Sequence, residues 1–210
     1  MTRVNIKSDL SDPDLQRIKK SKHIAIDLET AGLNPFRDSI YLVQVCDESG
    51  NLDLIRCKDW KTTLNLQDVL LDSNIEKVIH FAIMDCGFIL THMGIMLENI
   101  FCTKIASKLA RTYSPFHNLT SLLDELLNVQ SDKKCQSSFW GSDDLTDEQL
   151  EYAYNDVRYL LEIKSKLCEI LEQKEMLSTG ISFASLNENC QSLIPTLVQL
   201  WINGWDFGKG

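Results

Sequence analysis

The stretch HIAIDLET, residues 23–30, decides how this chain is read. His23, Ile24, Ala25, Ile26 and Leu28 favour a buried extended segment. Strand side chains repeat every two residues, so Asp27 and Glu29 fall on one face. Charge at the end of an apolar strand is costly unless something pairs with it. Something must therefore offset two adjacent negative charges at this point.

On the C-terminal side, GLNPFRD reads as a turn or loop, and IYLVQVCDE and LDLIRC as further strands, making three in succession over 23–57. Residues 61–71 read as an amphipathic helix with Leu64, Leu66, Leu70 and Leu71 as its apolar part. EKVIHFA is another buried strand, running into the helical MDCGFILTHMG, which Gly94 closes. NIFCT is a short fifth strand, followed by the helices KIASKLART and NLTSLLDELLN. Residues 130–145 are polar and irregular. Thr146 offers an N-cap with Gln149 in the capping-box position, opening one long helix to about residue 175. A last apolar helix over 187–204 brings Trp201 and Trp205, which pack either on a neighbouring subunit or on their own domain. A meander of strands followed by alternating helices and strands predicts an α/β fold, a mixed β-sheet flanked by helices. The chain shows neither repeat nor linker, so a single domain over 1–210 is expected, its core at about 20–175 and a helical tail at 176–210.

Composition sets limits on function. No apolar run reaches the length of a membrane span, and MTRVNIKSDL does not read as a signal peptide. Seven scattered cysteines, none in a CxxC pair, predict reduced thiols of a cytoplasmic protein rather than a disulfide framework or a zinc site. A net charge of −9 argues against binding long nucleic acid through overall charge. Lys104, Lys108 and Arg111 fall at helical spacing as a basic stripe, either a solvated face or a collector of phosphates.

Two further carboxylates share the oddity of the opening stretch. Asp85 follows the strand KVIHFA, at the strand-to-helix junction where α/β sheets present their ligands. Asp156 sits on a helix with Tyr152 one turn earlier on the same face. Singly, each has an ordinary role: a solvated pair, an N-cap at Asp85, a solvated Asp156, a core Tyr152. Together, four converging carboxylates call for about four positive charges, which two hard divalent cations such as Mg²⁺ or Mn²⁺ provide. Two such ions roughly 4 Å apart can clamp the attacking water and leaving oxygen of a phosphodiester in line.

IDLETAGL, VIHFAIMD and YAYNDVRYL resemble the three exonuclease motifs of the DnaQ-like DEDD superfamily. The Tyr-x-x-x-Asp spacing places the resemblance in the DEDDy branch, near ribonuclease D. FCTKIASKLARTY, ELLNV and QSSFW are similar to the alphaproteobacterial nanoRNase C enzymes, and the likeness runs over residues 20–170. It implies a ribonuclease H-like (DnaQ-like exonuclease) fold. Asp27, Glu29, Asp85 and Asp156 are then metal ligands, and Tyr152 orients the attacking water and is a candidate to deprotonate it. Thr30, Leu33, His80, Gln136 and Ser138 would face the substrate, Leu33 as a wedge between the two terminal bases. The implied activity is 3′-5′ exoribonucleolytic release of nucleoside 5′-monophosphates from diribonucleotides and other very short RNA, within a homo-oligomeric, octameric ring. Ribonuclease D-like trimming of longer RNA, attack on DNA, and a silent nucleic-acid-binding scaffold are the alternatives. The chain departs from its relatives at Phe139, where they commonly carry Asp.

Overall fold

A computed structural model describes residues 6–130, 138–142 and 144–204; Cys135, Gln136, Ser137 and Trp205 lie outside the described residues. The opening stretch is a strand, as its pattern requires, and it lies near the middle of a mixed sheet. In chain order the strands are β1 (Ile6–Lys7), β2 (His23–Thr30), β3 (Ile40–Asp47), β4 (Leu52–Ile55), β5 (Glu76–Ile79) and β6 (Ile100–Cys102). Among the described residues they form one sheet of order β1-β4-β3-β2-β5-β6. β2, β3 and β4 run antiparallel in turn, while β1 on β4, β5 on β2 and β6 on β5 are parallel.

Period-two alternation along β2 divides the core. Ile24, Ile26 and Leu28 face one layer with Val43, Val45 and Ile55, covered by helices α2 (Leu64–Leu71), α3 (Ala82–Met93) and α9 (Ile194–Ile202). Ala25 faces the other with Val78 and Phe101, covered by α4 (Thr103–Ala110), α5 (Leu119–Leu127) and α7 (Leu160–Gln173). Both faces are buried, which is why these strands are almost continuously apolar. Asp27 and Glu29 continue the Ala25 face. There α6 (Asp147–Arg158) packs on β2 and β3, its Ala153 clustering with Leu42 of β3 and Leu54 of β4.

The differences from the sequence reading have local causes. The sixth strand, β1, has only two residues, too short for any pattern. It is held with α1 (Asp12–Ile18) by Lys7 to Asp14 and Asp53 at 2.6 and 2.7 Å, and by Arg17 to Asp47 and Asp53. In α2 the buried face is Leu66, Val69 and Leu70, and Leu64 and Leu71 point to solvent. The expected long helix breaks at Tyr159, where the backbone turns to φ −100°. The Arg158 guanidinium sits there between the rings of Tyr154 and Tyr159, 4.8 and 4.4 Å from their centroids. The tail is two helices, α8 (Phe183–Ser192) and α9, not one.

Both tail helices are fastened to this chain's own sheet. Gln191 of α8 accepts from the Cys102 amide at 2.7 Å and donates to its carbonyl at 3.2 Å, satisfying the outer edge of β6. Trp201 of α9 lies on Gly87 of α3, where a Cβ would stand 2.3 Å from the indole. Trp201 therefore packs on its own chain.

Candidate active site

The end of β2 is where the carboxylates gather. The β2–β3 ladder slips between Glu29 and Thr30, and Tyr41 is the residue left over. Such a bulge bends a strand and re-aims its side chains, here at the sheet end where the chain leaves for the 31–39 loop. On the same side, α6 presents Tyr152 and Asp156 one turn apart. One oxygen each of Asp27, Glu29 and Asp156 lie within 4.8 Å of one another, the one such carboxylate, histidine or thiol group among the described residues.

Asp85 joins from α3. It sits in the first turn of that helix rather than capping it, is 2% exposed, and its Oδ1 has no hydrogen-bond partner within the chain. Its charge acts on both Asp27 and Glu29. Burial, reinforced by Asp156 and the neighbouring carboxylates, pushes Asp27 and Glu29 far above the carboxylate range. Burial raises Asp85 and Asp156 as well. Burial first, then Asp156, Glu29 and Asp27, drives the Tyr152 phenol up, so it is a neutral hydroxyl at any physiological pH. Burial and mutual repulsion thus act on these carboxylates in the same direction. All the donors of the cluster are oxygens, and a buried acceptor stands idle in it; this set fits a hard divalent cation.

Asp27, Glu29 and Asp156 line a cleft of about 610 Å³. Thr30, Leu33, His80 and Ser138 line it, as the sequence reading expects of substrate-facing residues; Gln136 lies outside the described residues. Leu33 stands at the rim, 72% exposed. Thr30 spends its hydroxyl on the Gly32 carbonyl at 2.7 Å, fixing the start of the loop that carries Leu33. A Cβ at Gly32 would stand 2.3 Å from Asp38 Oδ2, so any side chain there must displace the carboxylate that accepts from the Asn34 amide at 2.9 Å. His80 pairs through Nδ1 with Thr103 Oγ1 at 2.9 Å; burial, with Lys104 nearby, pulls it down to about 3, so its ring is neutral.

Sequence reasoning missed part of the lining. Phe81 caps α3 in the left-handed region (φ 64°, ψ 46°), a conformation uncommon for a bulky residue and one that clusters at functional sites. Lys104 Nζ lies 3.9 Å over its ring, and both line the cleft. No sequence signal marks a left-handed Phe. The basic stripe does not form. Lys104 faces the cleft and Lys108 is exposed, but Arg111 is fully buried, bound to Glu125, Ser107 Oγ (3.0 Å) and the Phe116 carbonyl (2.8 Å). Helix α4 ends at Ala110, so Arg111 leaves the helical register that the spacing assumed.

The 3′-5′ exonuclease family profile matches residues 6–172. Ribonuclease D of Sphingobium indicum is 31% identical over 158 residues, 75% of this chain and 40% of that protein. The chain spans less than half the length of the first curated relatives it matches. The structure of Brucella melitensis NrnC bound to pGG superimposes with a TM-score of 0.86 at 37% identity, covering 99% of this chain and 100% of that one. The same protein with bound Mg²⁺ gives 0.87 at 36% identity, with full coverage of both. The sheet and its flanking helices are thus the ribonuclease H-like fold of DnaQ-type exonucleases.

Proposed function

The chain belongs to the 3′-5′ exonuclease family, and on that premise we propose that it is a divalent-metal-dependent 3′-5′ exoribonuclease of very short RNA, diribonucleotides above all. One observation carries this reading: one oxygen each of Asp27 and Glu29 of β2 and Asp156 of α6 lie within 4.8 Å of one another, in a cleft that Tyr152 and the exposed Leu33 also line. Asp27, Glu29, Asp85 and Asp156 would hold two Mg²⁺ or Mn²⁺ ions. Bound there, the ions would neutralise the carboxylates, act as Lewis acids on the phosphoryl oxygen and lower the pKa of water.

The chain's own residues supply the rest. Tyr152 lines the cleft one helical turn from Asp156, so its hydroxyl would orient the attacking water, and it is a candidate to deprotonate it. Leu33 offers an apolar edge between two terminal bases, and the Thr30–Gly32 bond holds it in place. His80, neutral, can hydrogen-bond a sugar or base without adding charge. Ser138 lines the same cleft. Short RNA suits a chain with a net charge of −9, which repels a long phosphate backbone. The relative of matching length, solved with pGG and with Mg²⁺, supports the same substrate class and metal. On that likeness we read the chain as a cytoplasmic homo-oligomer, an octameric ring; among the described residues no helix is long and apolar enough to cross a membrane.

The test is a length series. With Mg²⁺ or Mn²⁺, turnover of di-, tri-, penta- and decaribonucleotides at two salt concentrations should fall as length rises, because added nucleotides gain no contacts. A flat or rising profile with steep salt dependence marks an open phosphate track and would replace this reading with ribonuclease D-like trimming.

A further inference from the structure

We propose that Arg56 is a positioning residue of this site, a single guanidinium that straps the 138–142 loop to the β3 bulge and so fixes Trp140 against Tyr152. The proposal rests on the role given to Tyr152 above. Arg56 directly follows β4, and its backbone amide continues the β1–β4 pairing through the Lys7 carbonyl at 2.8 Å. Its side chain does not line the cleft. Instead Nη1 donates to the Ser142 carbonyl at 2.6 Å, Nη2 to the Trp140 carbonyl at 2.9 Å, and Nε to the Tyr41 carbonyl at 3.3 Å. Tyr41 is the residue that the β2–β3 ladder skips beside Glu29 and Thr30. One fork thus joins the strand distortion under the carboxylates to the loop above them.

The loop is clamped from two more directions. The Phe139 ring meets Tyr41 edge-on at 5.8 Å, and Gly141 leaves no room between them, since a Cβ would lie 2.7 Å from Phe139 and 2.9 Å from Tyr41. From α6, Gln149 Nε2 donates to Ser138 Oγ at 3.0 Å and to the Phe139 carbonyl at 3.3 Å. The product of these contacts is a Trp140 that is 2% exposed, its ring centroid 6.0 Å from that of Tyr152. Trp140 is the aromatic neighbour of the Tyr152 ring in the cleft that Asp27, Glu29 and Asp156 also line, so displacing the loop removes a wall that holds the Tyr152 hydroxyl. Lysine cannot replace the strap. Three carbonyls contributed by residues 41, 140 and 142 need a planar fork with several fixed donors, and an ammonium is a single point.

The experiment uses the full chain. Arg56→Lys is made in the wild-type and Tyr152→Phe backgrounds, and turnover of a diribonucleotide with Mg²⁺ is measured. Gln149→Glu is made alongside; it keeps the capping box of α6 but loses the amide that holds the loop. Each change should lower kcat about tenfold with KM within about twofold, the cost of a misplaced group rather than of a lost substrate contact. In the Tyr152→Phe background the further loss should shrink to less than about twofold, because the group being positioned is already gone. Equal fractional losses in both backgrounds overturn the proposal. A readout independent of turnover is acrylamide quenching of Trp140 fluorescence, taken as the difference from a matched Trp140→Phe protein. Arg56→Lys should raise that quenching, and unchanged quenching overturns the strap. If Tyr152→Phe alone is as fast as wild type, the reading of Tyr152 fails, and quenching alone then decides the strap.

Discussion

Replacing Asp156 by Asn should make the metal-free protein more stable, and increasingly so as the pH rises. The change keeps the shape and the acceptor oxygen beside Tyr152 and deletes one charge. Asp156 faces two carboxylates, Asp27 and Glu29, with oxygens within 4.8 Å. At that separation one pair repels by roughly 3.5 kcal/mol at an effective dielectric of about 20 and by about 0.9 kcal/mol in water. The native state sheds most of this by keeping protons that the unfolded chain releases: the folded pKa values of all four carboxylates lie above their unfolded values. Where the native state binds more protons, stability falls with pH. The penalty is therefore absent below the ordinary carboxylate range and grows through neutral to alkaline pH. With solvent screening included, Asp156→Asn should gain about 1–3 kcal/mol near pH 9 and about nothing near pH 4. For a chain of this size that is a rise in Tm of about 2–10 °C. Thermal denaturation in EDTA across that range gives the comparison. Added Mg²⁺ should reverse the order, since wild type gains about 2.7 kcal/mol at a hundred times its Kd and the variant gains little. A variant less stable than wild type in EDTA at alkaline pH, or a gain that does not grow with pH, refutes the argument.

Gly32→Ala forces a Cβ to within 2.3 Å of Asp38 Oδ2 and so displaces the loop bearing Leu33. Steady-state kinetics on a dinucleotide should show KM raised about tenfold, about 1.4 kcal/mol of binding, with kcat little changed; an unaltered KM would remove Leu33 from the substrate contacts. Gly87→Ala drives its Cβ into the Trp201 ring at 2.3 and 2.7 Å and should cost about 1–3 kcal/mol in urea denaturation, with most of the cost vanishing in a Trp201→Ala background.

The carboxylate cluster was legible because its signals are local: the period of a strand puts Asp27 and Glu29 on one face, and a single helical turn aligns Tyr152 with Asp156. What escaped depends on distance or on broken register. Arg56 and Trp140 lie 84 positions apart, so no window of sequence holds both. Arg111 looked like the third rung of a basic stripe because its spacing is helical, yet the helix ends one residue before it. The break at Tyr159 carries neither Gly nor Pro, and Arg158 packed between two tyrosine rings leaves no mark that differs from a continuing helix. Phe81 contradicts its own backbone preference, a cost that only the tertiary frame sustains.

The carboxylate cluster is assembled from the two ends of the chain order. β2 supplies Asp27 and Glu29 near the start and α3 adds Asp85, but α6, with Tyr152 and Asp156, is made only after all six strands. During synthesis, when domains form from the N-terminus onward, the whole sheet can emerge while the cluster is still one carboxylate short. A ribosome-bound or truncated chain ending before residue 147 would thus carry the sheet without the site. The carboxylate cluster is therefore completed only when α6 is made, after the six described strands.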